Sequence, residues 1–552
     1  MAASELSGVI DQPRQSRLLA YLKRRCKQLQ PRSTALSLST ALALCISQSA
    51  CQPSRRSDRI TVASAGRITS LDPAQASTFG ALQLLSALGD TLYKRTADGE
   101  LTPSLASALP EISDEGRTVT IPLREDVLFH DGTRFDAEAM AFSLRRFLEI
   151  GTLSYVIGDR ITAVEAPQTY QLRLRLSRPS SSLENLLTAT NLTPVSPRAY
   201  QDYQDRFLND RFIGTGAYKL TNFRAVQQRL EPFKQYWGPS PSNAGLDLIY
   251  LSNSTALFGA MRSGEVDVLL SDSIDEDQRL ALNRMAAEGR LREGQGPALV
   301  IGYITLLSNT PPLQNPVLRQ ALALSLDRDL INKRVSHGLR PPLFSLVPPG
   351  LPGGNLKPWP RHDAARARNL FIQAGYCNGK VFNLPFTYRS NVPADRLMAL
   401  TWQAQIQRDL ADCLSLKLDG VESTTVYRQL GEGAFQAVML DWRGAYPDPE
   451  AYLAPLLSCK ESQGSICKRG EAAISGSFWT APGLETTLQQ SDRSRGDARQ
   501  RDLESVEQMA AEGAAYIPVW LVTPRAWSST DLATPEFDGN GQVVLARLQE
   551  QR

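Results

Sequence analysis

From Leu105 to Leu148 the apolar and polar positions follow an order that predicts strand, turn, strand, turn, helix. Thr118-Val119-Thr120-Ile121-Pro122-Leu123 alternates as a half-buried strand does, and the polar turn Ser113-Asp114-Glu115-Gly116 before it predicts a hairpin. Val127-Leu128-Phe129 is a short apolar run ended by His130-Asp131-Gly132-Thr133, since aspartate before glycine suits a tight turn with positive φ. Asp136 then opens a helix. Ala137, Ala141, Leu144 and Leu148 fall on one of its faces, with Asp136 and Glu138 in the first turn and Arg145 and Arg146 further on, as the helix dipole prefers. Nothing in this block is catalytic.

The same two periods run through the rest of the chain. Ile60-Thr61-Val62-Ala63 predicts a first strand, Leu71-Asp72-Pro73 a turn, and Phe79 to Lys94 an apolar helix. Tyr170 to Leu176 alternates strictly, and the apolar run from Ala298 ends in Asn309-Thr310. Asn315 to Arg328 reads as one capped amphipathic helix in which Arg319, Asp327 and Arg328 form structural ion pairs, and Ala364 to Tyr376 as another helix. Phe382–Tyr388, Leu397–Leu410 and Leu414–Val421 alternate strand, helix, strand, which is the βαβ pattern of an α/β sheet. Phe435 to Trp442 and Tyr516 to Leu521 are buried strands. The Gly214-Thr215-Gly216 segment is no phosphate loop, because strand-like Lys219-Leu220-Thr221 stands where a helix should follow.

Composition narrows the function. A chain of 552 residues, 42% hydrophobic, supports two to four domain-sized cores. Residues 1–51 hold seven Lys/Arg and two Asp/Glu, which leaves 53 basic against 55 acidic residues beyond them, a balance that does not favour nucleic acid. Three scattered histidines, His130, His337 and His362, without metal-ligand spacing, argue against a transition-metal site. Lys23, Arg24, Arg25, Lys27 and Arg32 precede an apolar run, Ala35 to Ile46, too short and too interrupted for a stable transmembrane helix. This reads as an export signal. Ser49-Ala50-Cys51 fits a lipoprotein cleavage site with Cys51 acylated, although Gln48 departs from the usual apolar residue; cleavage near Ala50 with plain secretion stays open. Beyond Cys51, four cysteines permit three pairings: Cys459 and Cys467 sit eight apart and suggest a local bridge, with Cys377 and Cys413 as the other.

Several segments together resemble the family 5 extracellular solute-binding proteins, the dipeptide, oligopeptide and nickel receptors of bacterial ABC importers. The strongest is Leu123-Arg124 followed by Phe129-His130-Asp131-Gly132-Thr133 and the helix containing Phe142-Ser143-Leu144. Gly214-Thr215-Gly216-Ala217-Tyr218 with Tyr236-Trp237-Gly238, Ser263-Gly264-Glu265-Val266-Asp267, the helix from Asn315 to Arg328, the helix ending Ala374-Gly375-Tyr376, the Asp441–Glu450 loop and Tyr516–Leu521 follow in family order. The resemblance covers roughly residues 57–545. It implies a two-lobed α/β periplasmic-binding-protein fold of type II, in the large class with an extra inserted α/β domain and a hinge of two crossing strands. The implied division is a signal peptide of lipoprotein type over 1–51, a tether over 52–58, lobe I over 59–92, 205–298 and 516–552, the inserted domain over 93–204, and lobe II over 299–515.

The resemblance also implies a role: an extracytoplasmic, periplasmic or cell-surface receptor, monomeric, held to a membrane by its lipid anchor or secreted. It would capture a peptide or similar small solute by lobe closure and deliver it to permease subunits, with no catalysis, no cofactor and no metal. The loop Asp441-Trp442-Arg443-Gly444-Ala445-Tyr446-Pro447-Asp448 is similar to one in which peptide-binding members use an aspartate to hold the ligand's α-ammonium group. Ala445 occupies that place here. A buried ammonium without a paired anion costs several kcal/mol, so either Asp441 or Asp448 substitutes or the ligand is no ordinary peptide. Arg389, where dipeptide receptors place an arginine for a carboxylate, and Arg443 are further polar candidates; Phe79, Trp442 and Tyr446 are candidate walls. A ligand sensor that transports nothing stays open. An exported hydrolase is the remaining rival, disfavoured because no Gly-x-Ser-x-Gly elbow is present.

Overall fold

The computed structural model describes residues 59–551 except 66–67, 155–157, 159, 225 and 271–273. The signal, Cys51 and the tether therefore lie outside the described residues. Apolar runs that alternate or stay continuous assemble three main sheets. Lobe I holds seven strands in the order Arg292–Gln295, Arg525–Ser528, Val268–Leu270, Ile60–Ser64, Leu246–Tyr250, Gln227–Pro232 and Tyr218–Arg224. Ile60–Ser64 runs parallel to both Leu246–Tyr250 and Val268–Leu270. Lobe II holds five, Leu414–Val421, Phe382–Arg389, Ala437–Arg443, Val300–Leu306 and Tyr516–Val522, of which the first three run parallel. The parallel βαβ pattern places the carboxyl ends of those strands, at Arg389, Val421 and Arg443, along one edge.

The inserted domain is a four-stranded antiparallel sheet, Glu111–Ser113, Thr118–Pro122, Gln171–Leu176 and Ile161–Gln168, covered by the helix Ala137–Ile150. Asp136 caps that helix by accepting from the Ala139 N–H at 2.9 Å, and Gly132 at φ 82° makes the turn before it. Gly214 and Gly216 pack where a Cβ would strike Leu88 and its neighbours, so that Gly-x-Gly serves close packing.

Four expectations change. The strand Tyr516–Val522 belongs to lobe II, paired antiparallel with Val300–Leu306 from Val300↔Val522 to Thr305↔Tyr516; lobe I resumes at Arg525, whose strand joins the other sheet. Its apolar side chains fill both faces of the lobe II sheet, which fixes it there. The two chain crossings are consequently the short segments 296–299 and 523–524, tied by Gly296 N–H donating to the Pro524 carbonyl at 2.9 Å. The helix from Phe79 stops at Leu88, because Gly89 leaves helical geometry and Asp90 gathers Lys94, Tyr236, Trp237 and Thr215. The run from Asn315 is two helices, Pro316–Ser325 and Arg328–Val335, because Asp327 caps the second. Arg319 and Arg328 are structural but donate to carbonyls of Gly513, Leu313 and Pro518 rather than to carboxylates, and burial pulls them down to about 10 and about 9.

Cys377 and Cys413 form one disulfide and Cys459 and Cys467 the other. The first closes a 36-residue separation and ties the end of one lobe II helix to the loop before Leu414, so Cys377, Cys413 and the adjacent Asp412 offer no free thiol pair to a metal.

Candidate ligand cleft

The cleft wall of lobe II is built where parallel strands end. Arg389 closes its strand and is buried; its Nε donates to Asp395 Oδ2 at 2.7 Å, and Nη1 donates to Asp441 Oδ1 at 2.6 Å and to the Tyr427 hydroxyl at 2.8 Å. Two flanking carboxylates hold the guanidinium charged well above its ordinary range, against the burial that opposes charge. Arg389 is thus neutralised inside its own lobe and carries no charge in reserve for a ligand carboxylate.

Asp441 sits differently. Its side chain is 42% exposed, and Oδ1 also accepts from Tyr427 at 3.1 Å. Burial would raise its carboxyl, but Arg389 first, then the bonds from Arg389 and Tyr427, hold it below the ordinary range, so it stays ionised. Two residues along the same strand, and hence on the same face, Arg443 reaches across to lobe I, where it donates to the Asn540 carbonyl and stands 5.8 Å from the centre of the Phe79 ring. Phe79 opens a lobe I helix capped by Thr78 and remains half-buried. Arg443 and Phe79 are therefore brought together across the lobes, with Asp441 on the same face of the strand as Arg443.

The other expected residues are not all there. Trp442 points to the opposite face and donates Nε1 to the Ala451 carbonyl at 2.8 Å. Tyr446, expected as a wall, is buried with its hydroxyl donating to Glu450 Oε2 at 2.7 Å. Asp448, expected as a polar anchor, is 1% exposed and consumed by Arg499 at 2.6 Å and Asn185 at 2.9 Å. The tight turn of the loop folds those two inward. Ala445 is half-buried and packs against the core.

Sequence reasoning missed two pairs between the lobes: Arg340 Nε donates to Glu276 Oε1 at 2.7 Å, and His337 Nε2 lies 2.8 Å from Asp277 Oδ1. Each joins lobe II to lobe I. The His-Gly and Asp-Glu-Asp clusters marked those segments as polar, but only the fold brings them together. Just inside lobe II, a Cβ on Gly302 of the strand Val300–Leu306 would come within 2.2 Å of Trp520 Nε1, so that strand requires glycine there.

Residues 100–464 match the family described as bacterial extracellular solute-binding proteins, family 5 Middle. Over 356 residues the chain is 26% identical to the glutathione-binding protein GsiB of Escherichia coli (strain K12), covering 63% of this chain and 67% of that one. The fold is similar to that of NikA from Brucella suis in complex with Fe(III)-EDTA, with a TM-score of 0.78 at 21% identity over 89% of this chain and 100% of that one. It is also similar to the dipeptide binding protein from Pseudoalteromonas sp. SM9913 in complex with Met-Leu, with a TM-score of 0.76 at 21% identity over 89% of this chain and 100% of that one. With the family matched over residues 100–464, from the inserted domain through the first crossing to the strand Ala437–Arg443, the chain belongs to the bacterial extracellular solute-binding proteins of family 5.

Proposed function

We propose that this receptor of an ABC importer captures a small solute carrying a cationic group, a peptide or a similar molecule, between Asp441 and the opposite lobe. One observation carries the reading: of the two aspartates near Ala445, Asp448 is locked under the loop while Asp441 is held ionised and 42% exposed near the end of its strand. A carboxylate so placed offsets the desolvation of an ammonium group. Arg443 and Phe79 supply a polar and an apolar contact beside it, and Ala445 leaves room rather than charge. Closure buries the solute, and the closed form is what permease subunits recognise. The relatives' ligands range from glutathione to a Met-Leu dipeptide and Fe(III)-EDTA, so the family leaves the ligand to the cleft residues.

The anchoring belongs to the same reading: acylation at Cys51 and a polar tether over 52–58 would hold a monomeric receptor at the outer face of the membrane. No helix among the described residues is long and apolar enough to cross a membrane. Native mass spectrometry of the chain purified from an oxidising extracytoplasmic compartment tests the ligand. A set of masses bearing amines, lost from Asp441→Asn, supports the reading; a single ligand without a cationic group would overturn it.

A further inference from the structure

The loop after the cleft strand is held from outside its own lobe. Arg160, 2% exposed, stands immediately before the inserted-domain strand Ile161–Gln168 and is aimed into lobe II. Its Nη1 donates to Glu450 Oε2 at 3.1 Å and to both Asp492 oxygens at 3.2 Å, and its Nη2 pairs with Glu450 Oε1. Ser180 and Ser182, also of the inserted domain, complete the cluster: Ser182 Oγ donates to Glu450 at 2.5 Å and Ser180 Oγ to Asp492 at 3.0 Å. Arg178 Nε lies 3.6 Å from Asp492 Oδ2, and Tyr446 donates to Glu450 from within the loop. Beside it, Asn185 of the inserted domain and Arg499 of lobe II share Asp448.

We propose that Arg160 is a positioning residue for ligand capture: it seats between Glu450 and Asp492 only when lobe II closes, and so latches the loop that carries Ala445. The chain path supports this. The inserted domain interrupts lobe I, and the chain passes between lobe I and lobe II at 296–299 and 523–524, so bending at those crossings would draw Glu450 and Asp492 away from Arg160. Buried ion clusters sit near balance, because desolvation opposes pairing, and near-balance suits a contact that must form and part. A cavity of about 340 Å³, lined in part by Ser180, Ser181, Glu184, Arg493 and Arg495, runs along the same seam and gives water a route in as it opens.

The cluster also links closure to protons. Facing Asp492 are Glu450 on its helix, Arg160 and Arg178 from the inserted domain, and, further off, Arg499 with Asp448. Burial, then Glu450, push Asp492 up to about 6 against the pull of Arg160, while Arg160 and its hydrogen bonds hold Glu450 down to about 2 despite burial. Opening to water returns Asp492 to the ordinary carboxylate range. The closed form therefore binds the proton more tightly, and acid favours closure. That contribution is complete below the ordinary range and is lost as pH rises through about 6.

Small-angle scattering and amide hydrogen exchange on the ligand-free full chain test this without a ligand, so the outcome is independent of the solute class proposed above. The ligand-free wild type is expected to hold a larger closed fraction, and hence a smaller radius of gyration, at pH 5 than at pH 7.5. Arg160→Met should enlarge the radius of gyration and speed exchange over 444–450 by roughly tenfold or more while both lobe sheets stay protected; Arg160→Lys should recover part of the loss. Asp492→Asn should keep the closed fraction seen at pH 5 at both pH values and lose the pH response. Wild-type scattering from Arg160→Met, or faster exchange throughout the sheets, would overturn the latch. Should Arg160→Met not fold, a pH response retained in Asp492→Asn overturns the proton link, and unchanged seam exchange in Arg160→Lys overturns the positioning role.

Discussion

Asp441 and Asp448 are seven residues apart on one strand and its loop, and they have opposite fates. Asp448 is sealed beneath the turn, with both oxygens bonded by Arg499 and the Asn185 amide. Asp441 stands at the strand's end, shares Arg389 with Asp395 and remains 42% exposed. Residue type and loop context are nearly the same. What separates them is which element supplies the cation: for Asp441 the neighbouring strand, within the wall, and for Asp448 the long helix Gly496–Gly513, which closes over it. A carboxylate fully paired inside the protein holds structure, while one only half-paired at an edge is available to a ligand. Glu507 makes a third case, buried on that same helix with no cation bound to it among the described residues, accepting the Leu346 N–H at 3.1 Å and pushed up to about 8 by burial.

Removing the sealed partner should cost most. Asp448→Ala leaves Arg499 buried without its anion and is expected to lower unfolding stability by about 3–5 kcal/mol, seen in urea or thermal denaturation. A loss within the range of a surface change would mean that Asp448 is not sealed and would reopen it as a ligand group.

Glu507→Gln comes next and acts in the opposite sense. Because the folded chain holds this proton while the unfolded chain releases it, wild-type stability should fall as pH rises from the ordinary glutamate range to about 8. The substitution should remove that slope and stabilise the protein by about 1–2 kcal/mol at pH 7.5, with much less effect at pH 5. Denaturation curves at the two pH values decide it.

Asp441→Asn should change stability by less than about 1 kcal/mol, since Arg389 keeps Asp395. Its effect belongs to binding: a co-purified amine ligand should bind at least about tenfold more weakly by calorimetry. Equal affinity would place Asp441 with the structural carboxylates and dissolve the comparison. The smallest effect should come from Asp277→Asn at the exposed pair with His337, about 0–1 kcal/mol and diminishing with salt.

Much of the lobe II core was legible in order. The strand read over Phe382–Tyr388, the helix over Leu397–Leu410 and the strand over Leu414–Val421 follow from periodicity, because side-chain direction repeats every second residue in strands and about every 3.6 in helices, although the helix begins earlier, at Pro393. Where a local cap competes with an apolar stripe, periodicity misleads: Asp327 splits one predicted helix, and Gly89 shortens another. Tyr516–Val522 was legible as a strand but not as a member of lobe II, since an apolar strand at a crossing suits either sheet equally until its partners are known.

By itself, then, the sequence determined the α/β class, the inserted block from Leu105 to Leu148, the family and the loop in which a carboxylate is replaced by Ala445. Only the tertiary structure decided that Arg389 is already neutralised, that Asp448 is sealed, that Asp441 stays partly exposed near its strand's end and that Arg160 reaches Glu450 across 290 residues. Local patterns fix periodicity and turns because those depend on neighbours in sequence. The state of a charge depends on which distant charges and how much water surround it, and that is set when the lobes pack.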